Sequence, residues 1–345
     1  MPVGFKNILI IKPSSLGDIV LALPAISALR RSFPDAEISW LVRPEFELIL
    51  KNHPDLNHTI LFDRKLLGKA WFSPSALAAL SSLVKTLHRK QFDIVIDLQG
   101  LFRSGLLAYL TGCKTRLGMA NAREFAPAFY TLTVPQSPDC IHLVDYYLRI
   151  ISCTGASDTA VQFKFPEDPA ADDSVRKLLN THNVKIGNYA VLIPGSAHID
   201  KCWPIDRFAA LADRINAEFR LSIVAAGGES EKKIIEKLGE LASVPIANFA
   251  GLTNLIELTA LLKAARLVVS NDTGPGHIAA ALGVPLVMIF GRINPARIAP
   301  YKRPHCVAAV EPYTRGSEIR YDNPKYDVKA VTFDDVYQKV CGQIK

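Results

Sequence analysis

Short apolar runs alternate with amphipathic stretches along the whole chain. Residues 7–12 (NILIIK), 37–43 (EISWLVR), 58–62 and 92–98 (FDIVIDL) are too short for helices. They are also too continuously apolar for strands with one wet face, so they predict strands of a buried parallel sheet. Between them, 18–33, 44–53, 73–90 and 101–110 carry helical patterns. Pro24 falls in the first of these, near its opening turns or at a kink. Near residue 165 the texture changes: 165–173 (FPEDPAADD) reads as a linker into a short helix over 174–182. The alternation then restarts, with strands over 189–193, 221–226, 267–270 and 285–290. Helices are predicted over 207–219, 231–241, 256–265, 277–282 and 332–344. In the first of these Phe208, Leu211, Ile215 and Phe219 form one stripe.

This order predicts an α/β chain of two doubly wound halves. Open α/β sheets bind ligands beyond the carboxyl ends of their strands, so a cleft between two such halves is the expected site. The 345 residues fit two domains rather than one.

Composition adds three limits. The net charge of +7 favours an anionic partner. No Lys/Arg run exceeds two residues, so nucleic acid is not expected. The six cysteines are scattered without a C-x-x-C pair, which speaks against a disulfide framework or a zinc site and for a reducing cytoplasm. The N-terminal stretch reads as a strand rather than a signal peptide, and no window approaches the ~20 apolar residues of a spanning helix. Any membrane contact is therefore expected to be peripheral and cytoplasmic.

Three loops could carry chemistry. Lys12-Pro13-Ser14-Ser15-Leu16-Gly17-Asp18 joins the first strand to the first helix. Asp18 stands where a carboxylate caps a helix, and position alone leaves a cap and a general base both open. The segment 193–204 (IPGSAHIDKCWP) offers Gly195, the Ser196 hydroxyl and the Lys201 charge; a solvated loop with Trp203 packed on the sheet is the plainer reading. Ser270-Asn271-Asp272-Thr273-Gly274-Pro275-Gly276-His277 is a glycine-rich turn into a helix start, a ready anion site. An Asx-turn at Asp272 and a hydrogen-bonded first-turn His277 are the structural alternatives. Gly274-x-Gly276-x-x-Ala279 also fits a dinucleotide fingerprint, but the next strand runs into Phe290-Gly291-Arg292 without the acid a ribose needs. A nicotinamide-dependent oxidoreductase is discounted on that ground. Glu229, after Gly227-Gly228, could accept from a ribose diol or simply start a helix. Between Leu98 and Arg123 stand Arg103, Lys114, Arg116 and Arg123 with no acid, and Arg64, Lys65 and Lys69 lie earlier; as a group they suit an anionic acceptor.

Taken together, KPSSLGD, GSAHIDKCWP and SNDTGPGH with the following AALGVP resemble the ADP-heptose:lipopolysaccharide heptosyltransferases, glycosyltransferase family 9. The resemblance spans nearly the whole chain, and Asp97-Leu98-Gln99-Gly100-Leu101 followed by Arg103-Ser104 looks most like the type I enzymes. It implies a GT-B fold of two Rossmann-like domains: 1–165 for the acceptor, a linker and short helix over 166–186, 187–325 for the nucleotide sugar, and 326–345 as a helix packing back on the first domain. It implies inverting transfer of heptose from ADP-heptose to a Kdo-lipid A type acceptor, with no metal or cofactor, at the inner face of the inner membrane. By the resemblance, Asp18 matches the catalytic carboxylate. Ser196, Lys201, Glu229, Asp272, Thr273, Gly274 and His277 match donor positions, and Ser15, Gly17, Gln99 and Arg123 match acceptor positions. Ala197 departs from relatives that carry a second hydroxyl beside Ser196. Type II transfer, or a non-catalytic nucleotide-sugar binding protein on the same fold, are the alternatives.

Overall fold

The structure is a computed structural model that describes residues 4–67, 73–137 and 140–344. Lys69 lies outside the described residues. The chain divides into two compact units, Met1–Glu167 and Asp168–Lys345.

The first unit holds a six-stranded sheet: β1 (Asn7–Ile11), β2 (Glu37–Val42), β3 (His58–Leu61), β4 (Ile94–Asp97), β5 (Arg116–Met119) and β6 (Leu132–Val134). Their order is β3-β2-β1-β4-β5-β6, and every pairing is parallel. The chain leaves β1 toward β2 and β3, then returns to lay β4 on the other side. Ile11 pairs with Asp97, so the loops after β1 and β4 emerge side by side at this switch point. Helix Leu16–Ser32 packs on helix Leu143–Ser152 and buries Ile19, Leu23, Ile26 and Leu29. Pro24 lies inside it.

The second unit repeats the plan with β7 (Tyr189–Ile193), β8 (Ser222–Ala225), β9 (Ile246–Asn248), β10 (Leu267–Asn271), β11 (Leu286–Ile289) and β12 (Val307–Ala308). The order is β12-β11-β10-β7-β8-β9, again all parallel. Ile193 pairs with Ser270, which sets the loops after β7 and β10 next to each other. Helix Ile205–Phe219 buries Phe208, Leu211 and Ile215 on the expected stripe. Both units are thus α/β and Rossmann-like, as a GT-B chain requires.

One expectation needs correction. The segment read as a linker belongs to the second unit: Asp168 caps helix Pro169–Thr181 through the Ala170 and Ala171 amides, and that helix packs on helix Leu255–Lys263. Proline at the first helical position is favourable because its missing N–H is not needed there. In the closing helix, Phe333–Gln343, Val336 and Val340 are buried in the second unit's own core, against β11 and β12. Among the described residues no helix is long and apolar enough to cross a membrane.

Candidate active site

In the first unit, the site grows from the end of β1. Lys12 is 3% exposed, and its carbonyl accepts from Trp40 Nε1 at 3.0 Å. A lysine is buried only when its charge is answered. Here the ammonium stands 3.6 Å from Asp18 Oδ2 and 5.8 Å from the Tyr147 ring centre. Ser15 begins helix Leu16–Ser32 in an extended conformation, and its amide and hydroxyl both donate to Asp18 Oδ2 at 3.1 Å. Asp18 therefore does cap the helix, yet its side chain keeps 36% exposure at the switch point. Gly17 is buried within the same first turn.

Gln99 comes to this loop from the end of β4. Its Oε1 accepts from the Ser14 amide at 3.3 Å. Gln99 is held in turn by Asp97, which is wholly buried. Asp97 Oδ1 accepts from the Gln99 and Gly100 amides, and Oδ2 from the Tyr130 hydroxyl at 2.7 Å. Burial pushes this carboxyl above its ordinary range against those bonds.

A cavity of about 140 Å³ opens beside this loop, with Ser14, Gln99, Arg43, Arg64, Arg103 and Glu124 in its wall. Three guanidinium groups against one carboxylate suit an anionic ligand. Arg43 was not singled out from sequence. It follows the carboxyl end of β2, and the rule that found the other loops applies to it equally. Glu45 pairs with it at 2.5 Å, and that bond holds the Glu45 carboxyl below its usual value. Arg123 is exposed and anchors its amide on the Gly100 carbonyl, next in chain to the wall residue Glu124. Lys65 is exposed.

In the second unit, the loops after β7 and β10 meet. Lys201 Nζ donates to Asp272 Oδ2 at 2.6 Å, and His277 Nε2 lies 3.3 Å from Oδ1. Asp272 is 5% exposed. Burial works to raise its pKa; the His277 hydrogen bond and the Lys201 charge outweigh it and hold the carboxyl below the usual range. Asn271, also missed from sequence, stitches the two loops: its Oδ1 accepts from the Trp203 amide and its Nδ2 donates to the Pro194 carbonyl. Trp203 is buried and donates to the Val331 carbonyl.

Helix Gly274–Ala281 starts three residues earlier than its pattern suggested, with Thr273 as its cap residue. The amides of Gly274 and Gly276 thus fall in a first turn, where N–H groups lack intrahelical partners. Thr273 Oγ1 lies 3.0 Å from Ser270 Oγ. Gly276 is required because a Cβ there would stand 2.7 Å from Ser270 Oγ. Ser196 is half-buried and its hydroxyl accepts from the His198 amide. Glu229 is exposed and pairs with Lys232 at 2.8 Å. Glu231, not selected from sequence, faces the loop more closely: it accepts from the Gly228 amide at 2.7 Å, and a Cβ on Gly195 would overlap its carboxylate.

The profile of glycosyltransferase family 9 (heptosyltransferase) matches residues 80–325. A lipopolysaccharide core heptosyltransferase of Haemophilus influenzae, OpsX, is 27% identical over 340 residues, covering 95% of this chain and 90% of that protein. Lipopolysaccharide heptosyltransferase 1 of Pseudomonas aeruginosa is 29% identical over 302 residues, 86% of this chain and 82% of its own. Among solved structures, Escherichia coli heptosyltransferase WaaC with ADP superposes with a TM-score of 0.77 at 26% identity, over 98% of this chain and 99% of that one. A Veillonella parvula glycosyl transferase of family 9 reaches 0.85 at 21% identity over 100% of this chain and 98% of its own, a likeness of fold. With the family profile covering most of its length, the chain belongs to glycosyltransferase family 9, the heptosyltransferases.

Proposed function

We propose that this enzyme transfers heptose from ADP-heptose, with inversion, to the Kdo-bearing inner core of lipopolysaccharide. The observation that carries the reading is Asp18: a partly exposed carboxylate at the switch point of one Rossmann-like unit, braced by a buried lysine. Relatives named as lipopolysaccharide heptosyltransferases, and a solved relative holding ADP, support the choice of substrates.

In this reading Asp18 accepts the proton of the acceptor hydroxyl as that oxygen attacks the anomeric carbon, opposite the departing ADP. General-base assistance of this kind contributes about 10²–10⁴ in rate. Ser15, Gly17 and Gln99 shape the loop that presents the carboxylate. Arg43, Arg64, Arg103 and Arg123 attract the carboxylates and phosphates of the acceptor. As the bond to the sugar breaks, charge grows on the diphosphate. Lys201 and the N–H groups of Thr273, Gly274 and Gly276 stabilise it. Asp272 and His277 orient Lys201 and the sugar, Ser196 contacts phosphate, and Glu229 the ribose. The acceptor is amphiphilic, so the work takes place at the cytoplasmic surface of the inner membrane.

The test is ADP release from ADP-heptose with a Kdo-lipid A acceptor. Turnover is expected for the wild type and not for Asp18→Asn. ADP-heptose binding without turnover would move the reaction to another core acceptor. Neither binding nor turnover would overturn the reading.

A further inference from the structure

One face of the first unit carries exposed aromatic rings. Phe125 is 87% exposed, Tyr109 56% and Phe102 43%. They form one patch. Phe102 and Tyr109 lie seven residues apart on one stripe of helix Phe102–Leu110. Both contact the Phe129 ring, at 5.3 and 6.2 Å between centres. The Glu124 carboxylate accepts from the Phe102 amide at 3.3 Å and ties the Phe125 turn to the same helix. Glu124 and Phe125 both adopt left-handed backbone, at φ 56° and 59°. A bulky residue is costly there, so the chain spends strain to hold Phe125 outward.

Cations stand at the patch and beside it in the chain. Arg116 stacks over Tyr109 at 5.4 Å and donates to the Phe129 carbonyl. Arg103, Lys114 and Arg123 are exposed. Glu124 also stands at this surface, and its carboxylate is engaged by the Phe102 amide. Exposed aromatics framed by Arg and Lys are the composition of a membrane-surface anchor: the rings enter the headgroup region and the cations meet anionic lipid. Helix Phe102–Leu110 and Glu124 also furnish wall residues Arg103, Ser104, Leu107 and Glu124 of the arginine-lined cavity. The same element would thus touch lipid on one side and the acceptor's head on the other.

We infer that Phe102, Tyr109 and Phe125, with Arg103, Arg116 and Arg123, are the surface by which this enzyme sits on an anionic phospholipid membrane. The inference rests on the proposed lipid-linked acceptor. Full-length protein is mixed with vesicles of phosphatidylethanolamine and phosphatidylglycerol, or of phosphatidylcholine alone, and sedimented. Preferential binding to the anionic vesicles is expected. Phe125→Gly, which suits φ 59° and so folds, should weaken that binding about tenfold, and Phe102→Ser similarly. Turnover on a Kdo acceptor stripped of acyl chains should not change. Wild-type protein that stays in the supernatant, or variants that bind vesicles as well as it does, would overturn the inference. So would Phe125-dependent self-association without lipid. Vesicle binding with no turnover on either acceptor would instead sink the proposed reaction and leave the membrane surface standing.

Discussion

The buried Lys12 ammonium and the Asp18 carboxylate stand 3.6 Å apart, one at the end of a strand and the other in the first turn of the helix that follows. The same Asp18 oxygen accepts the Ser15 amide, so capping and chemistry share one side chain. The two roles separate by substitution. Asp18→Asn keeps an oxygen for the Ser15 amide but no longer answers the buried Lys12 charge, so its melting temperature should fall, though less than that of Asp18→Ala. Its kcat should fall by about 10²–10⁴. Asp18→Ala should lose both the activity and about 1 kcal/mol of stability. If Asp18→Asn retains wild-type kcat, the carboxylate is a cap and nothing more.

Lys201 and Asp272 form a second pair, at 2.6 Å, with far less water around the carboxylate. Asp272→Asn should cost about 2 kcal/mol at neutral pH, because it removes the charge that answers Lys201. The pH dependence follows from the depressed Asp272 carboxyl. A carboxyl held low by folding contributes stability that is present above its unfolded value of about 3.9 and lost as pH falls through the folded value. Urea unfolding should show wild type losing stability below about pH 4, with a shallower decline in Asp272→Asn. Parallel acid limbs for the two proteins would show that Asp272 is not held ionised by its neighbours.

Gly195 and Glu231 test how the second unit's loop is held. Alanine at 195 would drive the Glu231 carboxylate off the Gly228 amide. Gly195→Ala should cost about 1.5 kcal/mol, the lower end of the worth of a hydrogen bond to a charged group. It should also raise the KM for the nucleotide sugar. In a Glu231→Ala background the same change should cost little stability, giving a clear coupling in the double-mutant cycle. Additive effects would mean that Gly195 is needed for its backbone and not for this contact.

How much of this was readable from the chain depends on what kind of signal each feature has. The central strands are: NILII, EISWLV and YAVLI are buried on both faces and announce it by composition. The outer strands Arg116–Met119, Leu132–Val134, Ile246–Asn248 and Val307–Ala308 went unread, because two to four residues of mixed polarity become strands only when a neighbour supplies hydrogen bonds. Helix Leu143–Ser152 was also missed, although its apolar residues repeat at helical spacing. The early start of helix Gly274–Ala281 was hidden by its glycines and proline, residues that read as a turn. The pairs Lys201–Asp272 and Ser14–Gln99 span 71 and 85 positions. Only the parallel register of β7 with β10 and of β1 with β4 brings them together, and no local pattern encodes that.

Tyr130 and Asp97 show what such a distant pair does. Tyr130→Phe removes the hydroxyl donor from a wholly buried carboxyl and should cost about 1–3 kcal/mol. Burial already raises the Asp97 pKa, so its folded state favours the protonated form. Stability tied to such a group is present below the unfolded value of about 3.9 and is lost as pH rises through the higher folded value. The gap between Tyr130→Phe and wild type should therefore widen as pH is raised from about 4 to neutrality, since the ionised carboxylate misses its donor most. Asp97→Asn keeps an oxygen for the Gln99 and Gly100 amides and should flatten the wild-type pH dependence while preserving turnover. Denaturant unfolding across that pH range decides it. A gap that stays constant would mean Asp97 remains neutral in the folded protein throughout, and that Gln99 and the Ser14 turn beyond it are positioned by a hydrogen-bonded acid rather than a carboxylate.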